Sequence, residues 1–342
     1  MVETLSWNDA IRLLLSHAAA DGREEMLFGD SYSRLCNIIP DFIKGEVFPS
    51  VYLEFPLCGR PFLDASVGYN RRTGNIPVDS EAASGTGEML DWFAKLPEKY
   101  TDIDCGYELD VSAKEIRPAG VHFQPRKHLE LVEPFCKILG EEDRGKQYLS
   151  TAKTMPTGWD LSFFGMFRGR PDFPFRICGY MDRKEQEKCA AEPERIKRVF
   201  QNVGFKAYDE NMTDQIASLL KVAGEGVDFQ FDIFPDGSFS EVFAIDIMIK
   251  NRTPKLMKEA FHAGEFSALN KLLSDWNIID ERFEAALEMT YTRKLPVFKE
   301  DGEVFVCNLL LIPKWLKVRW TNRVLQPVKL YTFAYAEIKK LR

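Results

Sequence analysis

Four stretches of the sequence each read as two β-strands joined by a short turn, and a helix-length segment separates each pair from the next. Short turns such as Pro235-Asp236-Gly237 make the strands of a pair antiparallel. This order excludes a doubly wound parallel fold, because parallel strands need a long crossover between each two. The four pairs occupy 51–70, 159–181, 227–250 and 309–338, and a fifth, less regular pair occupies 103–124.

The sequence therefore predicts an α+β protein with an antiparallel sheet and helices outside it. We expect the successive hairpins to close into a β-barrel, and an open sheet with one face in water is the alternative. No linker rich in Ser, Gly or Pro divides the 342 residues, so residues 1–342 are predicted to form a single domain.

Helical periodicity marks the segments between the hairpins. Ser6 is a predicted cap of a first helix, and Gly204 and Asn277 mark a predicted helix end and a predicted break. The further predicted helices occupy 31–44, 88–96, 128–139, 192–203, 213–223 and 254–290.

Charge and composition limit the partners. A net charge of −7 opposes nucleic-acid binding, which relies on clustered Lys and Arg. The N-terminus lacks the features of a signal peptide, and no window approaches 18 uninterrupted apolar residues, so no membrane association is expected. Seven cysteines without a CxxC pair fit reduced thiols, and we expect a cytoplasmic protein.

Several motifs that resemble functional sites are rejected on physical grounds. Residues 140–147 have the glycine and lysine spacing of a phosphate loop, but three acidic residues occupy the loop and no strand precedes it. The four histidines form neither HxxxH nor HExxH, so a zinc site is not predicted. A Gly-x-Ser-x-Gly nucleophile elbow and an Asp-Asp-x-x-Asp run are also absent from the sequence.

Alternation along the strands separates a dry face from a mixed face. In 227–234 one face carries Phe229, Phe231 and Ile233, and the other carries Asp228, Gln230, Asp232 and Phe234. The mixed face would meet water in an open sheet and would line a lumen in a closed barrel, where a ligand binds.

Cations share three other strand faces with aromatic side chains, mostly tyrosines. These faces carry Lys329, Tyr331, Phe333 and Tyr335; Trp315, Lys317 and Arg319; and Arg176, Cys178 and Tyr180. Such a surface suits an anion that has a cationic or aromatic neighbour, although an exposed sheet face also combines Lys with Tyr. Glu54 shares a strand face with Tyr52, and inside a barrel its carboxylate has to be paired or functional, whereas in an open sheet it faces solvent.

The order of helices and hairpins, most clearly from Trp159 to Ile338, together with a Lys-x-Tyr last strand, resembles the ABBA aromatic prenyltransferases, whose αββα units form a barrel with the active site in its lumen. The resemblance implies transfer of a prenyl group from an allylic diphosphate, dimethylallyl or geranyl, to an aromatic small molecule or to a Trp or Tyr of a peptide. No cofactor is required by this chemistry, and magnesium is an optional assistant.

The resemblance also implies roles for individual residues. Glu54 matches a first-strand glutamate that acts as a base, and Lys329 and Tyr331 match the last strand. The implied diphosphate-binding cations are Lys329 and, by strand face alone, Arg176, Lys250, Lys317 and Arg319. The implied tyrosines that shield the carbocation or contact the substrate are Tyr331, Tyr52, Tyr335 and, by strand face alone, Tyr180. The alternative function is a non-catalytic barrel that binds a hydrophobic or anionic ligand or a peptide.

Overall fold

The structure is a computed structural model that describes residues 23–42, 50–70, 87–111, 118–167, 169–170, 173–224, 226–249, 253–298 and 304–340. The predicted first helix at Ser6 and the predicted site residue Lys250 lie outside the described residues. The strands are β1 Ser50–Pro56, β2 Asp64–Asn70, β3 Asp104–Leu109, β4 Pro118–Gln124, β5 Trp159–Met166, β6 Phe175–Met181, β7 Val227–Ile233, β8 Phe239–Met248, β9 Tyr291–Phe298, β10 Val304–Thr321, β11 Val324–Leu325 and β12 Lys329–Lys340.

Helices lie between the strand pairs. They are α1 Glu24–Phe28, α2 Ser31–Phe42, α3 Gly87–Lys95, α4 Val132–Ile138, α5 Glu142–Thr154, α6 Arg183–Ala191, α7 Pro193–Val203, α8 Glu210–Val222, α9 Pro254–His262, α10 Ser267–Asp275 and α11 Arg282–Glu288. Among the described residues, no helix is both long enough and apolar enough to span a bilayer.

The sheet closes into an antiparallel barrel. Strands β1 to β8 pair in chain order, β12 pairs with β1, and β10 joins β12 to β8. Ten strands, β1 to β8 with β10 and β12, therefore form a ring, while β9 and β11 pair with β10 outside it. The predicted closed barrel is confirmed, and the open-sheet alternative is wrong.

The β7–β8 hairpin shows how local chemistry sets the antiparallel pairing. Gly237 adopts a positive φ of 88°, and its N–H donates to the carbonyl of Phe234 at 3.0 Å. The Asp236 carboxylate accepts from the backbone N–H of Ser238 at 2.9 Å, which closes the turn. The turn reverses the chain direction, so that β8 pairs with β7 and Phe229 lies opposite Ile245.

The outer face of the barrel forms the core under the helices. Phe200 of α7 packs edge-on against Phe243 of β8, with ring centroids 4.9 Å apart, and Phe231 of β7 lies 5.0 Å from Phe243. All three side chains are fully buried. Helix α7 ends at Gly204, as predicted, because this residue takes the left-handed conformation with φ 86°.

Helices α5 and α6 and strand β9 are among the elements that the sequence pattern did not predict. Helices α5 and α6 bury polar side chains, among them Arg144, Glu185 and Gln186, so they lack an apolar stripe. The Gln186 amide instead donates to the carbonyl of Leu220 at 3.2 Å. Strand β9 pairs along β10 beyond the ring.

The predicted helix 254–290 and the fifth hairpin also differ in detail from the sequence-based expectation. The helix is divided into α9, α10 and α11, with a break at Asn277 as predicted and another after α9. The fifth pair forms the ordered strands β3 and β4, with one register shift between Glu108 and Leu109.

Candidate active site in the barrel lumen

The first and last strands of the ring bring the predicted base and the predicted last-strand residues together. Glu54 of β1 lies opposite Tyr331 of β12 in the antiparallel register. The alternate residue Phe55 packs against Phe28 of α1, with ring centroids 5.0 Å apart, so the outer face of β1 is covered by a helix. Glu54 therefore points into the lumen.

Four lumen side chains form what we call the ion cluster: Glu54, Lys317, Lys329 and Tyr331. The Lys329 ammonium contacts the Glu54 carboxylate directly. The Lys317 ammonium donates to the Tyr331 hydroxyl at 3.0 Å and lies 4.9 Å from the centroid of the Tyr331 ring. Two cations, one carboxylate and one phenol thus occupy one side of the lumen.

The charge state of Glu54 follows from these neighbours. Burial alone would raise the pKa of its carboxyl, but the Lys329 and Lys317 ammonium groups and hydrogen bonding from Lys329 and Tyr331 hold that pKa well below its usual range. Glu54 is therefore an ionised acceptor at neutral pH. It is also occupied by Lys329.

Aromatic side chains continue from the ion cluster along the lumen. Tyr52 lies 4.8 Å from Trp315 and 5.2 Å from Phe333, between ring centroids. Trp315 stacks on Tyr331 at 5.5 Å, and Phe333 stacks on Tyr335 at 5.7 Å. Burial raises the pKa of the Tyr52 phenol to about 12, so this wall stays uncharged at neutral pH. Ring faces of this kind attract positive charge.

A second group of cations surrounds one phenylalanine. Phe167 lies between two guanidinium carbons, that of Arg170 at 4.1 Å and that of Arg176 at 4.3 Å from its ring centroid. Arg176 donates its Nε–H to Asp232 at 2.9 Å, and Arg170 donates to Glu108 at 3.0 Å. Both cations are thus paired with carboxylates in this structure.

Arg319 differs from these two arginines. Burial lowers the pKa of its guanidinium, and the charge of Arg176 lowers it further. Its Nε atom is buried and has no hydrogen-bond partner among the described residues. Arg319 therefore has donor capacity to spare on the lumen side of β10.

Three carboxylates on β7 and β8 share the lumen with these cations. Asp228 lies directly opposite Asp246, and Tyr180 of β6 lies opposite Asp228. Lys317 is 3.7 Å from Asp246. Asp232 is the partner of Arg176.

Exposure alternates along two strands of the barrel wall, with the inward side chains the more accessible ones. On β2 the outward residues Ala65, Val67 and Tyr69 are buried, whereas the lumen residues Ser66 and Gly68 are partly accessible. The same alternation runs along β10, where Lys317 and Arg319 are partly accessible between buried neighbours. Solvent therefore reaches the inner face.

Metal and nucleotide sites receive no support from the described residues. No group of three or more His, Cys, Asp or Glu side chains in that part of the chain is arranged to hold a metal ion. Magnesium commonly uses one or two carboxylates together with substrate phosphates and water, so the optional magnesium stays a prediction. The segment 140–147 follows helix α4 and forms the start of α5, which agrees with the rejection of a phosphate loop.

The structure brings together most of the predicted site residues without assigning them a role. Glu54, Lys317, Lys329 and Tyr331 touch one another, and Tyr52 and Tyr335 continue the same wall through aromatic contacts. Arg176 lies in the second cationic group, and Arg319 is near enough for the charge of Arg176 to lower the pKa of its guanidinium. Tyr180 is 40% exposed and stands apart from the ion cluster, and Lys250 is outside the described residues.

Sequence reasoning did not assign several lumen residues to the site. Alternation along the strands places three aspartates on the mixed face, namely Asp228, Asp232 and Asp246. Which cations they approach depends on strand pairing, which the sequence does not show. Arg170 and Phe167 lie outside the regular strands, where no periodicity identifies the inward side chain.

Comparison with known proteins gives a result in structure but none in sequence. No protein-family profile matches the sequence, and no curated protein matches it. The 5-dimethylallyltryptophan synthase from Streptomyces coelicolor, solved in complex with DMASPP and Trp, superposes with a TM-score of 0.55 over 97% of this chain and 96% of that chain, at 13% identity. The apo form of the prenyltransferase PriB gives a TM-score of 0.51 over 96% of both chains, at 12% identity.

This chain has the ABBA fold. The likeness covers nearly the whole of each chain, which confirms the fold predicted from the order of helices and hairpins. The lumen of this barrel carries cations and tyrosines on β10 and β12, and three aspartates on β7 and β8.

Proposed function

We propose that this protein is a transferase that moves a prenyl group from an allylic diphosphate to an aromatic acceptor inside the lumen. The observation that carries the proposal is the ion cluster beside the aromatic wall: Lys317 and Lys329 lie next to Tyr331, and Trp315 stacks on that tyrosine. The ABBA fold supports the proposal, because the solved proteins that share it include a dimethylallyltryptophan synthase and a prenyltransferase.

The cations supply the first step of this reaction. Ionisation of an allylic diphosphate builds negative charge on the leaving group, and fixed positive charges in a site of low dielectric stabilise it. Lys317, Lys329 and Arg319 are the cations that we assign to this task, with Arg176 and Lys250 as further members. Loss of one such contact lowers kcat by about 100-fold to 1,000-fold in comparable electrostatic sites.

The aromatic wall protects the carbocation that remains. Tyr52, Trp315, Tyr331 and Phe333 present ring faces and edges to one region of the lumen. Such rings attract positive charge without offering a strong nucleophile, and the enclosing barrel limits the access of water. In this proposal Tyr180 and Tyr335 extend the protection toward the acceptor.

Glu54 is assigned the removal of the proton from the acceptor ring. The carboxylate is ionised but bonded to Lys329, so it is available only after Lys329 finds another anion. An incoming diphosphate offers that anion. Binding of the donor substrate would therefore release the base, which couples the two halves of the reaction.

The experiment is incubation of the protein with dimethylallyl diphosphate and a panel of indoles, phenols and aromatic peptides. We expect a mass increase of one dimethylallyl group on an acceptor, together with released diphosphate. The Lys317→Met variant should lose activity, while Lys255→Met on the exposed surface of α9 should retain it, since the Lys255 side chain is 84% exposed. Absence of both adduct and diphosphate release would contradict the proposal.

One observation favours the second candidate function, a non-catalytic barrel that binds a ligand or a peptide. Asp232 pairs with Arg176, and Asp246 lies near Lys317, so carboxylates offset part of the positive charge. A ligand of low charge fits such a lumen better than a bare diphosphate does. This candidate predicts saturable acceptor binding with neither diphosphate release nor product formation, in the wild-type protein and in Lys317→Met alike.

A further inference from the structure

Strands β7 and β8 present several hydrogen-bond acceptors to the lumen, and some of these acceptors have no donor beside them among the described residues. We call Asp228, Gln230 and Asp246 the carboxylate wall. Asp228 and Asp246 are direct partners in the antiparallel register, and like charges in that position repel each other. Gln230 follows Asp228 by two residues, so it shares the lumen face.

Asp246 is buried with incomplete pairing. Its residue is 8% exposed, and its Oδ1 atom has no hydrogen-bond partner among the described residues. Lys317 is the cation beside it, at 3.7 Å from the Oδ2 atom, and the same ammonium donates to Tyr331 at 3.0 Å. One lysine is thus shared between the Asp246 carboxylate and the Tyr331 phenol.

Gln230 provides an independent sign of a missing donor. The residue is 1% exposed, and its side-chain oxygen is buried without a hydrogen-bond partner in the part of the chain that the structure describes. Ala244 lies opposite Gln230 on β8, so the side chain that faces Gln230 from that strand is a methyl group and offers no donor. Buried acceptors without donors are uncommon, because each forfeits its bonds to water.

Access and shape agree with a ligand at this wall. Tyr180, the register partner of Asp228, is 40% exposed, and Met248, two residues after Asp246, is 42% exposed. Trp315 lies opposite Met248 and belongs to the aromatic wall described above. A ligand that reaches past Tyr180 therefore meets acceptors on one side and aromatic rings beyond them.

We propose that the carboxylate wall is the acceptor subsite and that it binds the ammonium group of an aromatic acceptor. An ammonium group brings three N–H donors and a positive charge, which match the two carboxylates and the amide oxygen. This inference rests on the proposed function, because the bound amine is an acceptor substrate only if the protein transfers a prenyl group. The binding that it predicts requires neither a donor substrate nor turnover.

The test compares two indoles that differ only at the end of the side chain, tryptamine with its ammonium group and the neutral 3-ethylindole. Binding is measured by calorimetry at about pH 8, where a primary amine is still protonated and ordinary carboxyls are ionised. The wild-type protein should bind tryptamine at least about tenfold more tightly than 3-ethylindole. Equal affinities, or no binding of tryptamine at about 1 mM, would overturn the proposal.

Variants locate the subsite. Asp246→Asn and Asp228→Asn keep the shape of the side chain and should weaken tryptamine binding about tenfold each, while the affinity for 3-ethylindole stays unchanged. Glu241→Gln is the matched control, because Glu241 is exposed on the same strand and the change in charge is the same. An equal loss in the control variant, or none in either aspartate variant, would overturn the assignment.

The outcome is separable from that of the proposed function. If the ammonium preference depends on Asp246 but no diphosphate is released with any acceptor, the subsite stands and prenyl transfer fails. If prenyl transfer occurs but the wild-type protein prefers neutral indoles, the proposed function stands and the ammonium subsite fails. The comparison of the two ligands on wild-type protein needs no variant, so a folding defect in a variant leaves the test intact.

Discussion

The two faces of the β7–β8 hairpin differ completely in chemistry although they belong to the same strands. The outer face carries Phe229, Phe231 and Phe243, which are fully buried under the helices. The lumen face carries Asp228, Gln230 and Asp246, and a buried side-chain oxygen of both Gln230 and Asp246 has no hydrogen-bond partner among the described residues. The outer face thus supplies stability through apolar burial, whereas the inner face retains polar groups that oppose stability and are suited to a ligand.

The same contrast distinguishes two regions of the lumen. In the ion cluster, Glu54 is paired with Lys329. The pKa of Glu54 lies well below its usual range because the attraction of the lysines exceeds the effect of burial. In the carboxylate wall, burial and the neighbouring Asp246 raise the pKa of Asp228 to about 7. Two carboxyl groups in one barrel therefore have pKa values shifted in opposite directions, because only Glu54 has a cation of its own.

The largest expected effect tests the outer face. Phe231→Ala removes a fully buried ring that contacts Phe243 at 5.0 Å and Phe205 at 5.4 Å between centroids. We expect the free energy of unfolding to fall by about 4 kcal/mol, measured by urea denaturation. Ligand affinity per folded molecule should not change. A loss of affinity without a loss of stability would break the contrast between the faces.

The ion cluster gives the next effect. Lys329→Met leaves the Glu54 carboxylate buried without its partner, and we expect a loss of about 3 kcal/mol in the free energy of unfolding. The double variant Glu54→Gln with Lys329→Met should recover most of that loss, because no uncompensated charge remains. Denaturation of the single and double variants at neutral pH checks this. Additive losses would show that the two side chains act independently.

In the carboxylate wall, a substitution should raise the free energy of unfolding rather than lower it. The folded-state pKa of Asp228 is raised to about 7, above its value in the unfolded chain, so stability is lost as pH rises through that range. Asp246, Lys317 and Tyr180 face this group. Asp228→Asn should therefore raise the free energy of unfolding by about 2 kcal/mol at pH near 8 and leave it unchanged near pH 4.

The measurement for this variant is denaturation at several pH values beside the wild-type protein. The pKa of Asp246 is also raised, mainly by burial, and the substitution removes a neighbouring charge from it. The difference between the two proteins should therefore grow from about pH 4 to about pH 7 and level off at higher pH. A constant difference, or one that shrinks with rising pH, would contradict the unpaired state of the wall.

The smallest effect concerns the helical layer. The Asp209 carboxylate caps α8 by accepting from the N–H of Met212 at 2.8 Å. Asp209→Ala should reduce the free energy of unfolding by about 1 kcal/mol with no change in tryptamine binding. Thermal denaturation with and without ligand checks both parts. A change in binding would indicate that the helices transmit strain to the lumen.

Much of the barrel could be predicted from local sequence. The turn at Gly237 and the alternation of Phe229 and Phe231 with Asp228 specify a hairpin with one dry face, because side chains alternate across a strand. Helix α7 was predictable for a similar reason, since Ile196, Val199 and Phe200 lie on one face. Helix α6 was not, because it buries Glu185 and Gln186, which hydrogen-bond to a side chain and to backbone from other helices.

The sequence by itself determined which residues share a strand face, since the period of two needs no partner strand. It did not determine which inward charges meet. Glu54 and Lys329 are 275 residues apart, and their contact exists only because β12 pairs with β1 in one particular register. Closure of the ring likewise decided that Asp246 shares Lys317 rather than having a cation of its own. Pairing energies depend steeply on distance, and these distances are fixed by the whole barrel.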